Sequence, residues 1–132
     1  MKKTLNPSKL FDPRPYGFSQ IVISEPGKLV FISGQVAWDE EMNIVGVNDL
    51  TLQVKKALSN LVVAIQSAGG KTENITALRI YKVGLTREDH PIISQALIET
   101  FGTINPPTST WLSVNGLAND NLLIEIEAIA VI

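Results

Sequence analysis

The sequence predicts an α+β domain in which two amphipathic helices back one face of a single sheet. Three observations carry this. The patterns along the chain run β-β-α-β-α-β-β, with room for one minor extra strand. Both helical stretches place apolar residues on one side only, so each covers a surface and neither is surrounded by core. The final stretch, I-E-I-E-A-I-A-V over 124–131, alternates as a strand does. Ile124, Ile126, Ala128 and Ala130 share one face of it, and Glu125, Glu127, Ile129 and Val131 share the other. Two carboxylates followed by two β-branched apolar residues do not make an ordinary solvated face. Part of that face is therefore expected to be covered.

Composition sets the bounds. The chain has 132 residues, 45% of them apolar and 18% charged, which fits one domain over 1–132 with a real core and excludes a disordered chain. Eleven basic and thirteen acidic residues give a formal charge of -2. That balance supplies no general attraction to nucleic acid or to an anionic membrane. No cysteine is present, so disulfides, thiol nucleophiles and thiolate metal sites are all excluded. A single histidine, with no EF-hand loop and no H-E-x-x-H, leaves no metal or cofactor expected. The opening M-K-K-T-L-N-P-S-K-L lacks the apolar core of a signal peptide, and no apolar run is long enough to span a membrane. The expected compartment is cytoplasmic.

Residues 1–15 hold three prolines and four basic residues and read as an irregular arm. A short strand follows over 18–24, then a Glu25-Pro26-Gly27-Lys28 turn and a partner strand over 29–36, together predicting a hairpin. Gly34 inside that partner predicts a bulge or the close approach of another group. Residues 39–49 form a polar excursion with at most a small strand. Asp49 can cap the first helix, whose stripe is Leu50, Val54, Leu58, Leu61, Ile65 and Ala68, and Gly69-Gly70 ends it. A strand over 75–83 carries Arg79 in its interior. The second helix starts at Asp89-His90-Pro91 and runs to Thr100 or Phe101, with Gly102 closing it. Pro106-Pro107 separates it from two last strands, read as a hairpin around a polar turn at 116–121.

Several side chains invite chemistry. Glu125 and Glu127 lie two residues apart, roughly 7 Å along one face. In a partly covered cleft such a pair can raise one carboxyl toward general acid–base use, or both can make structural ion pairs, Glu127 with Arg79 among them. Thr108, Ser109 and Thr110 present three hydroxyls after a rigid Pro-Pro, fit either for a polar ligand or simply for a strand. Ser33-Gly34-Gln35 is open between ligand approach and strand packing. Trp111 reads first as interface or core and second as cleft wall, and Phe18 and Trp38 sit near strand ends. No G-x-S-x-G surrounds any serine, and no helix or loop gathers basic and aromatic residues for nucleic acid.

With these segments in view, the chain resembles the reactive intermediate deaminase family, RidA/YjgF, also labelled L-PSP endoribonuclease. G-F-S-Q at 17–20, F-I-S-G-Q at 31–35, Q-V-K-K-A-L-S-N-L at 53–61 and I-E-I-E-A-I-A-V at 124–131 carry the resemblance across nearly the whole chain. It implies a chorismate-mutase-like fold with a mixed sheet, and a homotrimer holding small-molecule ligands in inter-subunit clefts. The implied activity is hydrolysis of reactive enamines and imines to carbonyl compounds and ammonia. The resemblance assigns the water-orienting role to Glu125 and substrate contacts to Phe18, Ser33, Gly34, Thr108, Ser109 and Thr110. It also marks departures. Phe18 stands at a tyrosine position, Thr110 at one often held by cysteine, and Ser94 at an asparagine position in the second helix. Most consequentially, Thr108 stands where the family places a carboxylate-binding arginine, whose planar bidentate fork one hydroxyl cannot imitate. The cleft is therefore expected to favour ligands neutral at that point, or to borrow Arg14 or another distant cation from a neighbouring subunit. Three classes compete: a deaminase of altered range, a non-catalytic trimeric module that binds a metabolite, and a structural trimer with a vestigial cleft. The ribonuclease label is not carried over, because no histidine, lysine or metal arrangement for phosphodiester hydrolysis stands out.

Overall fold

A computed structural model describes residues 2–132. Six strands and two α-helices follow one another as β1 (Lys2–Leu5), β2 (Ile21–Ser24), β3 (Leu29–Gln35), α1 (Leu50–Ser67), β4 (Ile75–Val83), α2 (Asp89–Phe101), β5 (Thr108–Val114) and β6 (Ile124–Val131). The expected order is present, with one strand added at the start. Four strands make a mixed sheet in the order β3-β6-β4-β5, and β1 and β2 pair separately as an antiparallel ribbon.

The helices form where the apolar stripes predict. Asp49 caps α1 by accepting a hydrogen bond from the Leu52 amide. Val54, Leu58, Leu61 and Ile65 of α1, with Ile93 and Leu97 of α2, are buried against Ile80, Ile124 and Ile126 of the sheet. Each such side chain contributes about 1.5–3 kcal/mol, so docking on the sheet and not intrinsic propensity holds the helices. Ala128 and Ala130 complete the inner face of β6, which alternates buried and half-buried along its whole length as its sequence predicts.

Strand pairing departs from the expected hairpins. β5 does not pair with β6; it lies parallel to β4, with Ile80 opposite Trp111. Parallel neighbours need a crossover, and α2 supplies it as the middle of a βαβ unit. The nine-residue connection over 115–123 then lets β6 insert between β3 and β4. Nor does β2 pair with β3. Ser19, just before β2, donates its amide to the Pro107 carbonyl (3.0 Å) and its hydroxyl to that of Pro106 (2.6 Å). That pins the start of β2 to the β5 edge, across the sheet from β3, and its pairing is made instead with Lys2–Leu5. The arm expected to be irregular therefore contains a strand, and Lys2 reaches the Ile75 carbonyl with its ammonium (2.6 Å).

One buried polar residue organises the loops. Gln53, fully buried on α1, donates to the carbonyls of Gly46 (3.0 Å) and Asn121 (2.9 Å) and accepts from the Leu123 amide (2.8 Å). It ties the excursion and the 115–123 connection to the start of the helix. No helix among the described residues is long and apolar enough to cross a membrane.

Candidate functional site

Glu125 lies on the sheet face away from the helices. Opposite it, β3 carries a bulge: pairing passes from Ile32–Ala128 to Gln35–Ile126, three residues on β3 against two on β6. The inserted segment brings Gly34 against Glu125 so closely that a Cβ on Gly34 would stand 2.1 Å from Oε1. With the Glu125 side chain where it stands, only glycine fits there. The carboxylate lines a cleft of about 560 Å³ together with Gly34, Trp38, Lys56 and Asn60. Asn60 holds the cleft's far wall by donating to the carbonyls of Val36 and Trp38, both at 2.9 Å. Asp39 fixes the next turn by accepting from the amides of Glu41 and Asn43, and these bonds, that from Asn43 first, hold its carboxyl below the usual range. Among the described residues, Glu125 itself accepts no hydrogen bond.

The neighbouring carboxylate is spent on structure. Glu127 accepts a short hydrogen bond from the Tyr81 hydroxyl, and it faces the Arg79 guanidinium at a loose 3.7 Å. That hydrogen bond, ahead of burial, pushes the Tyr81 phenol above its ordinary pKa. The two glutamates thus have different surroundings, and the expected Arg79–Glu127 contact is present.

Thr108 and Thr110 face the same side, beside Arg79 and Glu127, around a depression of about 180 Å³. The Thr108 hydroxyl donates a long bond to the Thr76 carbonyl (3.2 Å). Ser109 points the other way, where its hydroxyl accepts from the Trp111 indole N–H (2.8 Å). Trp111 packs partly against the core and meets His90 edge-on at 5.4 Å. It is therefore on the helix side and not on the Glu125 side. Phe18 lies 6.4 Å from Trp111 and 6.1 Å from Phe11, lining an aromatic hollow of about 490 Å³ with Tyr16 and His90.

Within one protomer the expected site residues fall into three places. Gly34 joins Glu125; Ser33 beside it is exposed, and its carbonyl accepts from the Gln35 side chain. Thr108 and Thr110 share the Arg79 depression, while Phe18 and Ser109 share the aromatic hollow. Thr108 pairs with Ala77 and Glu125 with Tyr81, four residues further along β4, which is about 13 Å. Arg14 is not a spare cation: its Nε and one terminal nitrogen each donate to Asp12 at 2.8 Å. Lys56, Asn60 and Tyr81 were not anticipated. Tyr81 had a signal in the alternation of β4, which sets Ala77, Arg79 and Tyr81 on one face. Lys56 and Asn60 had none, because nothing local says that an exposed helix edge borders a cleft.

A sheet backed on one side, with an open face carrying an unpartnered carboxylate and a guanidinium, defines a small α+β protein with a polar site on its uncovered face. Residues 13–132 match the Endoribonuclease L-PSP family, and the chain belongs to it, the RidA/YjgF family of the resemblance above. A protein of unknown function from the conserved Rid protein family, YyfB of Yersinia pestis, has a crystal structure that superposes with a TM-score of 0.95. It is 31% identical, with 99% of this chain and 98% of that one covered. A RutC family protein of Pyrococcus abyssi is 29% identical over 119 residues, 89% of each chain. The 3-aminoacrylate deaminase RutC of Acinetobacter baylyi is 28% identical over 102 residues, covering 77% of this chain and 78% of its own.

Proposed function

We propose that this protein hydrolyses small reactive enamines and imines to carbonyl compounds and ammonia, with Glu125 positioning the attacking water. The observation that carries the reading is the Glu125 carboxylate, left without a hydrogen-bond donor in a cleft that Gly34 keeps open. An enamine first tautomerises to its imine. Water then adds to the imine carbon while Glu125 takes the proton it loses and passes it to the nitrogen, giving a carbinolamine; the carbinolamine hydroxyl then gives up its proton, again through Glu125 to the nitrogen, as the C–N bond breaks and the carbonyl forms. One water is consumed and one ammonia released, so the reaction needs no oxidant or reductant. The deaminase among the relatives works on 3-aminoacrylate by name, which is in keeping with this chemistry.

The reading includes a homotrimer. Phe31 and Leu29 are 72% and 63% exposed on the open face, beside the half-buried Ile129 and Val131. An apolar strip of that kind on a sheet face fits a second copy of the chain. Such a partner would close the cleft over Glu125 and bring a neighbour's Phe18 or Thr108 toward it, joining what the single protomer keeps apart. Thr108 in place of an arginine gives the site a substrate range of its own.

The deciding experiment is an ammonia-release assay on freshly generated 2-aminoacrylate and a panel of bulkier imines. Release above buffer by the wild type, lost in Glu125→Gln, is expected. A wild-type rate equal to buffer across the panel removes the deaminase reading, and a ligand bound in the cleft without turnover would favour a binding module.

A further inference from the structure

We propose that the aromatic hollow beside β5 is a cage for a methylated ammonium group, carried by a small soluble amine. The proposal stands apart from the deaminase reading, which turns on Glu125, and neither needs the other.

Phe11, Tyr16 and Phe18 line the hollow from the segment ahead of β2, His90 from the start of α2, and Ser109 and Trp111 from β5. Four of the chain's eight Phe, Tyr and Trp side chains thus gather at one place, with its one histidine. The rings follow one another in a chain, each inclined to the next. Tyr16 meets Phe11 at 65°, Phe11 meets Phe18 at 69°, Phe18 meets Trp111 at 54°, and Trp111 meets His90 at 89°. Rings inclined in this way enclose a rounded space, where stacked rings would leave a flat slot. Its volume, about 490 Å³, is that of a small-molecule site. The walls are also held before any ligand arrives. The Phe11 carbonyl accepts from the Gln20 side chain (3.0 Å), and the Trp111 indole N–H is tied to the Ser109 hydroxyl (2.8 Å). Between Tyr16 and Phe18, Gly17 lies so close to α2 that a Cβ on it would stand 2.9 Å from that of Leu97. Little ordering is left for binding to impose.

Charge decides what fits. No lysine or arginine lines the hollow. Arg14, two residues from Tyr16, is spent on Asp12 at 2.8 Å, and Lys82 is spent on Asp89, next to His90, at 3.1 Å. Nothing here holds an anion. Aromatic faces carry the negative part of the ring quadrupole and attract a cation that comes within about 6 Å of a ring centroid. A primary ammonium is the wrong cation, because its three N–H groups need acceptors and the Ser109 hydroxyl already accepts from Trp111. A quaternary ammonium leaves no N–H unpaired, and its methyl groups fill a rounded apolar space. A neutral group of the same shape gains the apolar contact and forgoes the attraction to the rings. All six side chains belong to one protomer, so the cage does not depend on how copies assemble. Where a second copy brings its Glu125 cleft toward Phe18, that carboxylate favours the same charge.

The test is calorimetric titration of the assembled protein with choline and with 3,3-dimethylbutan-1-ol, which has the same shape and no charge. The wild type is expected to bind choline at least about fivefold more tightly than the alcohol. Tyr16→Leu and Trp111→Leu each keep an apolar side chain and lose a ring. Each should weaken choline at least about threefold and leave the alcohol within about twofold. The unmethylated counterpart, 2-aminoethanol, should bind more weakly than choline. Circular dichroism separates loss of binding from loss of the fold. Tyr16 is exposed, so Tyr16→Leu and the wild-type preference for choline carry the test should Trp111→Leu not fold. Equal binding of choline and the alcohol would make the hollow a neutral apolar pocket and overturn the proposal. Choline binding that neither variant alters, or no choline binding by the wild type, overturns it as well. Ammonia release is a separate readout: turnover without choline binding sinks the cage and keeps the deaminase, and ring-dependent choline binding without turnover does the reverse.

Discussion

A Cβ on Gly34 would stand 2.1 Å from Oε1 of Glu125 and 2.7 Å from its Cγ. The backbone at Gly34 is not left-handed, so alanine meets no conformational strain there, only the glutamate side chain. Gly34→Ala should therefore fold, with stability changed by less than about 1 kcal/mol, and relieve the clash by turning the carboxylate out of the cleft. Ammonia release is expected to drop at least tenfold while the denaturation midpoint barely moves. Full activity in a folded Gly34→Ala would mean that the position of Glu125 does not matter.

Gln53 is a case for stability without chemistry. Gln53→Leu keeps the volume and removes three hydrogen bonds, leaving the Leu123 amide and the Asn121 carbonyl unpaired, while the Gly46 carbonyl keeps its bond from the Asp49 amide. A buried backbone group without a partner costs about 1–3 kcal/mol, and water can reach the loop carbonyls in part, so a loss of about 2–4 kcal/mol is expected. Urea denaturation followed by circular dichroism measures it. A loss below 1 kcal/mol would show that the loops hold their shape without the glutamine.

Much of this was legible in the sequence, and the reason is periodicity. The alternation of β6, the stripes of α1 and α2 and the bulge at Gly34 are local patterns, and local patterns survive folding. Pairing is not local. Two strands joined by a polar turn look alike whether they pair or straddle other strands, and only the βαβ reading of β4-α2-β5 would have shown that β5 was already taken. Gln53 was hidden because a polar residue at the edge of an apolar stripe looks solvated. The Arg79–Glu127 pair was visible in the sequence, while the Tyr81 hydroxyl that shares the Glu127 carboxylate was not.

The Tyr81–Glu127 bond has a pH signature. A phenol whose folded pKa is raised above 10 holds its proton more tightly in the native state. Its contribution to stability is therefore fully present below the unfolded value and is lost as pH rises through the folded one. In a Tyr16→Phe background, phenolate absorbance should show Tyr81 titrating late, and Glu127→Gln should bring it earlier. An identical titration curve in both proteins would mean that the bond is absent in solution.

Assembly is tested at the apolar strip. Wild-type protein is expected to sediment as a trimer, and Phe31→Asp or Val131→Asp to sediment as monomer, because each would bury an unpaired charge between copies. Activity should fall with the trimer. A monomeric wild type would remove the shared cleft from the proposal.

Thr108→Arg asks whether a guanidinium at position 108 gives the cleft a site for a carboxylate. The hydroxyl it removes makes one long bond to the Thr76 carbonyl, so little stability is at stake. From β5 the new side chain reaches the same depression that Arg79 lines. A charge-assisted hydrogen bond contributes about 1.5–3 kcal/mol, or roughly tenfold and more in affinity. Repulsion from Arg79 in the free protein works against that gain, but a bound carboxylate between two cations relieves it. The single variant should therefore bind 2-oxobutyrate more tightly than the wild type. Calorimetric titration of the wild type and Thr108→Arg with 2-oxobutyrate decides the matter. Equal or tighter binding by the wild type than by Thr108→Arg would show that position 108 is a strand residue whose side chain does not reach the ligand.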